Sequence, residues 1–162
     1  FNAFSRSYRY LILNRWMRPA LEAKRMSWCR VPLDADKMNE AAQALLGEHD
    51  FTSFRAKSCQ ANHAIREIQK IGVQRNEDVI SVDVTANGFL YHMVRNIVGS
   101  LLCVGRGEQP VDWMKALLEK MDRAQAAPTA SPQGLYFVAA RYPDHFELPV
   151  TIAPFPRGWN LS

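Results

Sequence analysis

Polar and apolar positions change their period several times along this chain, and each change predicts an element. From Ser7 to Leu13, Tyr8, Tyr10 and Ile12 alternate with Arg9 and Leu11, which predicts a strand. Residues 15–32 show neither period and are punctuated by Pro19 and Pro32. Met38, Ala41, Ala42 and Leu45 then recur at helical spacing behind Asp34, a residue suited to capping a helix. A helix is expected from there to about Leu46, with Gly47 stopping it. Asp50-Phe51-Thr52-Ser53-Phe54-Arg55 reads as a compact turn with two aromatic anchors. Arg66 to Gln74 and Val79 to Thr85 read as an antiparallel hairpin around Asn76-Glu77-Asp78. Its second strand sets Ile80, Val82 and Val84 on one face, and Ser81, Asp83 and Thr85 on the other.

Beyond Asn87-Gly88 the pattern predicts the most apolar helix, about Phe89 to Val104, closed by Gly105 and Gly107. Pro110 opens a short helix through Met121, with Trp113, Leu117 and Leu118 on one face. Pro128 and Pro132 mark a loop, Leu135 to Arg141 a last strand, and the proline-bearing tail from Pro143 should be irregular. Strands and helices are mixed and the clearest strand pair is a hairpin. The expected class is α+β with a mainly antiparallel sheet.

The helix at 89–104 carries an anomaly. Leu90, Met93, Val94, Ile97, Val98, Leu101 and Leu102 cover most of its circumference, so it should be largely buried. Tyr91, His92, Arg95, Asn96, Gly99 and Ser100 nevertheless form one polar stripe, and Arg95 is the only formal charge between Asp83 and Arg106. A guanidinium keeps its proton, so a buried one needs a carboxylate or a phosphate. Three partners are open: Asp83 from the neighbouring strand, an acidic residue from a segment outside this sequence, or a substrate phosphate. His92 and Asn96 read equally well as satisfied polar groups on a half-buried helix.

Composition narrows the class. The 162 residues, 48% hydrophobic and 22% charged, suit one domain with its own core, and exclude wholesale disorder, collagen and coiled coil. No run approaches about 18 apolar residues, so no membrane span is expected. No charged-then-apolar leader opens the sequence, so no secretory signal is expected. Phe1 rather than Met stands first, and an upstream segment is expected, either removed or lying outside the sequence given.

The net charge of +4 is unevenly spread: residues 1–30 hold seven arginines and lysines, with Glu22 as their single acid. Tyr8, Tyr10, Trp16 and Trp28 lie among those charges. Such a segment suits RNA, whose phosphates meet the cations and whose bases meet the rings, or else a solvated strand face with core aromatics. Cys29, Cys59 and Cys103 are odd in number and form no C-x-x-C, which argues against a zinc knuckle or redox pair and for a reducing cytosol. His49, His63, His92 and His145 show no metal-ligand spacing, so a metal site would need distant segments.

Four stretches in order carry a resemblance: Arg6-Ser7-Tyr8-Arg9-Tyr10, Asp50 to Arg55, Phe89-Leu90-Tyr91-His92-Met93-Val94-Arg95-Asn96-Ile97-Val98-Gly99, and Gly134-Leu135-Tyr136. Together they resemble the tRNA pseudouridine synthase A family, from Phe1 to about Pro149. The resemblance implies an α+β fold with two similar halves around a cleft. It implies an enzyme that detaches uracil from its ribose and reattaches it through carbon, at positions 38–40 of the tRNA anticodon arm. It implies no cofactor, no required metal, a cytoplasmic homodimer and one tRNA spanning both subunits.

Carried over residue by residue, Tyr8 matches the tyrosine that stacks on the target base. Arg95 matches the arginine that pairs with the catalytic aspartate, and Leu135 an aliphatic residue that packs the base. Arg6 and Arg9 beside the tyrosine, and Arg55 less directly, would meet phosphates. The family's catalytic aspartate stands in a Gly-Arg-Thr-Asp-Ala-Gly-Val-His motif that is absent here, and no aspartate of this sequence takes its role. The opening is also compressed relative to the family's Phe-x-Ala-Arg-Phe-Ser-Ala, as when residues between Ala3 and Tyr8 are left out, and His63 stands where Thr or Ser is commoner.

The resemblance therefore implies a C-terminal domain over residues 1–149, an irregular tail over 150–162, and a catalytic half outside the sequence. Alone, these residues are expected to bind RNA or dimerise without catalysing. A third class is a scaffold whose basic strand holds a protein partner.

Overall fold

The computed structural model describes residues 4–20, 25–57 and 61–142. The expected tail from Pro143, the opening Phe1-Asn2-Ala3 and Cys59 lie outside them. The chain runs β1 (Ser5–Asn14), β2 (Ser27–Cys29), α1 (Ala35–Ala42), β3 (Gly47–Asp50), β4 (Ile65–Asn76), β5 (Val79–Ala86), α2 (Met93–Gly105), α3 (Trp113–Lys120) and β6 (Leu135–Arg141). Among the described residues these strands form one sheet in the order β2-β1-β5-β4-β3, with β6 also on β1. β2 alone runs parallel to its neighbour; every other pairing is antiparallel. The α+β class with a mainly antiparallel sheet is what the structure has.

The hairpin is where the pattern put it: β4 and β5 pair from Ile68↔Ala86 to Asn76↔Val79, leaving Glu77 and Asp78 as the loop. Asp34 caps α1, its carboxylate accepting from the Lys37 N–H at 3.0 Å. Phe51 and Phe54 are both fully buried anchors of the turn Thr52–Phe54.

One face of the sheet carries the main core. Tyr10, Ile12, Ile80, Val82 and Val84 project into it and meet Met38 and Leu45, then Met93, Ile97 and Leu101 of α2, and Met114 and Leu117 of α3. The alternate residues of the same strands turn the other way, where Leu11, Leu13, Met26 and Val79 form a small second cluster with Tyr136. β1 is thus buried on both faces in its second half, which simple alternation does not reveal.

One expectation needs correction, and the structure adds two short strands. The helix expected from Phe89 begins at Met93. Phe89 to His92 instead form the turn that redirects the chain from sheet to helix, with His92 at φ +60°. A helix start demands such a break in direction, and apolar spacing continues through it unmarked. Residues 27–29, left unassigned, add the parallel strand β2, and Gly47–Asp50 is the edge strand β3. Both are too short to show a period. On α3, Met114, Leu117 and Leu118 are buried, and the half-buried Trp113 packs against the same core.

The basic segment also fails to act as one stripe. Arg30 stacks on Trp16 at 3.6 Å from the ring centroid, Arg18 lies over Trp28 at 6.0 Å, and the Trp28 indole donates to the Arg15 carbonyl. Part of its cationic and aromatic surface is thus spent on itself.

Candidate active site

A cavity of about 330 Å³ opens where β1, the 89–92 turn, the start of α2 and the approach to β6 converge. Its walls are Arg6 and Tyr8 of β1, the run from Phe89 to Arg95, Pro132 and Leu135. This is the small end of the size range for ligand pockets, with apolar walls and a few polar groups.

Tyr8 is set by the sheet. The β1–β6 register slips between Ser7 and Tyr8, so Ser7 pairs with Ala139 while Tyr8 pairs with Phe137. Such a bulge re-aims the side chain beside it. The Tyr8 ring is then held edge-on by Phe89, at 5.0 Å and 87°, and by Phe137, at 5.5 Å and 69°. These two T-shaped contacts fix the plane of the Tyr8 ring at the cavity wall.

Arg95 is set by a loop. Its Nε donates to the Ala130 carbonyl at 2.8 Å, and the Ala130 N–H donates back to the Arg95 carbonyl at 3.0 Å. The terminal guanidinium nitrogens have no partner among the described residues, and the residue lines the cavity. Asp83, one of its three candidate partners, is taken: it lies on the other face of β5 and pairs with Arg9 at 2.6 Å. That leaves a carboxylate from outside the described residues, or a phosphate.

The loop that sets Arg95 is itself stitched to the polar stripe of α2. Asn96 is fully buried. Its Nδ2 donates to the Phe54 carbonyl, while its Oδ1 accepts from Arg123 Nη2 at 3.1 Å and from the Thr129 hydroxyl at 2.6 Å. Ser100 Oγ accepts from the Ala127 N–H, and the Tyr10 hydroxyl donates to the Ser131 carbonyl. Two glycines permit the approach. A Cβ on Gly99 would stand 2.1 Å from the Pro128 carbonyl oxygen, and one on Gly134 would stand 2.5 Å from that of Leu11. The second contact lets the turn Pro132–Gly134 lie on β1 and brings Leu135 opposite Tyr10.

Of the expected site residues, the structure gathers Tyr8, Arg95, Leu135 and Arg6 around one cavity. Arg9 faces away with Asp83, and Arg55 donates to the Ala61 carbonyl outside the cavity wall. Phe89 and Phe137, which grip Tyr8, and the Asn96 hub were not singled out from the sequence. The signal for Asn96 was present in the stripe beside Arg95; Phe137 had none, because its contact with Tyr8 depends on the bulge.

His92 completes the mouth, its ring stacked on Tyr91 at 3.8 Å. Partial burial and then the Arg95 charge push its imidazole below the ordinary range. Burial pushes the Tyr10 phenol up, against the Ser27 hydroxyl and the Arg95 charge.

Tyr8 and Arg95, the latter fixed through its Nε, thus line one cavity whose described walls carry no carboxylate. The family model for tRNA pseudouridine synthase matches residues 41–143. The chain belongs to the tRNA pseudouridine synthase family. It is 57% identical over 152 residues to the tRNA pseudouridine synthase A of Xanthomonas euvesicatoria pv. vesicatoria (strain 85-10), covering 94% of this chain and 59% of that relative. Xylella fastidiosa (strain M12) has a protein of the same name, 55% identical over 153 residues, with 94% and 60% covered. The chain thus spans about three-fifths of the length of the curated relatives it matches.

Proposed function

We propose that these residues are the base-holding part of an enzyme that converts uridine to pseudouridine in the anticodon arm of tRNA, at positions 38–40. The observation that carries this reading is Arg95: held by Nε to Ala130, it offers its terminal nitrogens to the cavity that Tyr8 walls. A fork held in this way suits a carboxylate, bound through two parallel hydrogen bonds. No described residue lining the cavity carries one. The nucleophilic aspartate that the resemblance calls for would come from outside these residues.

In this reading Tyr8 stacks on the flipped-out uracil, Leu135 packs against it, and Arg6 at the rim meets a phosphate. Stacking holds a base without reading its neighbours, which suits an enzyme that accepts adjacent uridines. Arg95 holds the aspartate in the orientation for attack and keeps it ionised. The C1′–N1 glycosidic bond breaks, the uracil turns, the C1′–C5 bond forms, and the C5 proton leaves while the freed ring nitrogen takes one up, with no cofactor and no metal. The homodimer and the cytoplasmic location rest on the family resemblance alone.

The test is conversion of an anticodon-arm tRNA by the full-length protein, read as pseudouridine by mass spectrometry, with Arg95→Ala beside it. Conversion that Arg95→Ala reduces strongly, while tRNA affinity holds, supports the reading. Equal loss of binding and turnover would make Arg95 a phosphate clamp and overturn its role.

A second reading is favoured by the same lack of a carboxylate in the cavity. The 162 residues taken alone bind RNA or dimerise and catalyse nothing. Pseudouridine formed by this polypeptide alone would overturn it.

A further inference from the structure

Beside the base cavity lies a second, more open groove, lined by Arg6, His63, Ile65, Arg66, Asn87 and the Gly88-Phe89 step. It shares Arg6 and Phe89 with the base cavity, so the two are continuous across one arginine. We propose that this groove seats the phosphodiester flanking the bound base, with Arg66 as its principal cation. The proposal rests on the RNA reading above and extends it to residues to which that reading gives no role.

The floor of the groove is rigid. The Asn87 N–H donates to the Glu67 carbonyl at 3.0 Å, and the Glu67 N–H donates to Asn87 Oδ1 at 2.9 Å. Arg66 is half-fixed above it. Its Nη1 donates to the Ile65 carbonyl at 2.7 Å and to that of His63 at 3.3 Å. Nε and Nη2 have no partner among the described residues. The stem lies over Gly88, where a Cβ would stand 3.4 Å from Nε. The Arg6 guanidinium likewise has no hydrogen-bond or ion-pair partner among the described residues, and Arg6 is exposed.

Arginine at the surface is ordinarily balanced by a nearby acid, as Arg9 is by Asp83. Here the lining holds two arginines and a histidine with no carboxylate. Glu67, next in sequence, points to the opposite face of β4 by strand alternation. An uncompensated pair of guanidiniums selects an anion, and a partly fixed fork suits phosphate oxygens. Continuity with the base cavity selects the anion's source. A strand that delivers a base between Tyr8 and Arg95 carries its adjoining phosphate past Arg6 towards Arg66.

The test is salt-dependent binding of a labelled anticodon stem-loop RNA to the full-length protein and to its Arg66→Gln and Arg66→Lys variants. Circular dichroism melts establish that all three are equally folded. One lost phosphate contact lowers the slope of log K against log salt by about 0.7 to 0.9, equivalent to about sixfold weaker binding at 0.1 M salt. Arg66→Gln is expected to show that loss, and Arg66→Lys to recover most of the slope. An unaltered full-length protein that binds with a steep slope, and an Arg66→Gln variant with the same slope, overturn the groove while leaving the RNA reading intact. An unaltered full-length protein that does not bind the RNA overturns both.

Discussion

Arg95 and Ala130 hold each other twice, guanidinium Nε to carbonyl at 2.8 Å and N–H to carbonyl at 3.0 Å. A side chain on the third residue of a helix is thereby referenced to a loop 35 residues later. The Nε bond uses the edge of the guanidinium and leaves the terminal pair for the cavity. Arg95→Lys keeps the charge and loses this geometry, since an ammonium has no planar fork. In the full-length protein it should lower turnover by about a hundredfold, the order seen when an oriented donor is removed. Its tRNA affinity should change little. Single-turnover kinetics with a parallel filter-binding titration separate the two.

Gly99 bears on the same loop. With Pro128 oxygen 2.1 Å from where a Cβ would stand, Gly99→Ala must push backbone rather than a side-chain tip. Overpacking of this kind costs about 1–3 kcal/mol. Urea denaturation should show that loss with an unchanged m-value. An alanine variant as stable as the parent would mean that the loop does not sit on α2 as described.

Asn96 joins the turn at Phe54, helix α2 and the loop through Arg123 and Thr129. Asn96→Leu fills the space but leaves the Phe54 carbonyl, the Thr129 hydroxyl and a guanidinium nitrogen short of a buried partner. The expected cost is about 2–4 kcal/mol, several times that of an ordinary surface substitution. Thr129→Val removes one of these bonds and should cost about 1 kcal/mol. Chemical denaturation of both variants checks the ranking.

His92 offers a test of its distance from Arg95. Its folded-state midpoint should fall below the ordinary 6.5, chiefly through burial and secondarily through the Arg95 charge. A depressed histidine protonates first in the unfolded chain. Stability therefore falls as pH drops below the unfolded midpoint, until the folded midpoint is passed, and is flat above it. Arg95→Gln should raise the folded midpoint partway back. An NMR titration of the imidazole measures both, and an unmoved midpoint would place Arg95 elsewhere.

Tyr8→Phe keeps the ring between Phe89 and Phe137 and should leave folding and RNA affinity within about twofold, since stacking uses the ring face. Tyr8→Ala removes the wall and should weaken RNA binding by about 1–3 kcal/mol, the range for one base on an aromatic platform. Anisotropy titration with the same stem-loop checks both.

Periodic elements were legible because their signal is local. The alternation through Tyr8, Tyr10 and Ile12, the Asp34 cap and the turn of the β4–β5 hairpin are each set by neighbouring residues. Arg95 was legible as an anomaly, because a lone guanidinium in an apolar helix has to be answered somewhere. The four ordered motifs were enough to place the family. What answers Arg95 was not legible. Asp83 is close in sequence and of the right sign, yet strand alternation turns it to the other face, where Arg9 takes it. The bulge that aims Tyr8 and the loop carried by Asn96, Ser100 and Gly99 depend on segments far apart in the sequence. Sequence by itself determined the local elements and the family, through residue type, local period and the order of the motifs. Tertiary structure alone decided which of them meet, because hydrogen bonds and close contacts between distant segments leave no periodic trace in either one.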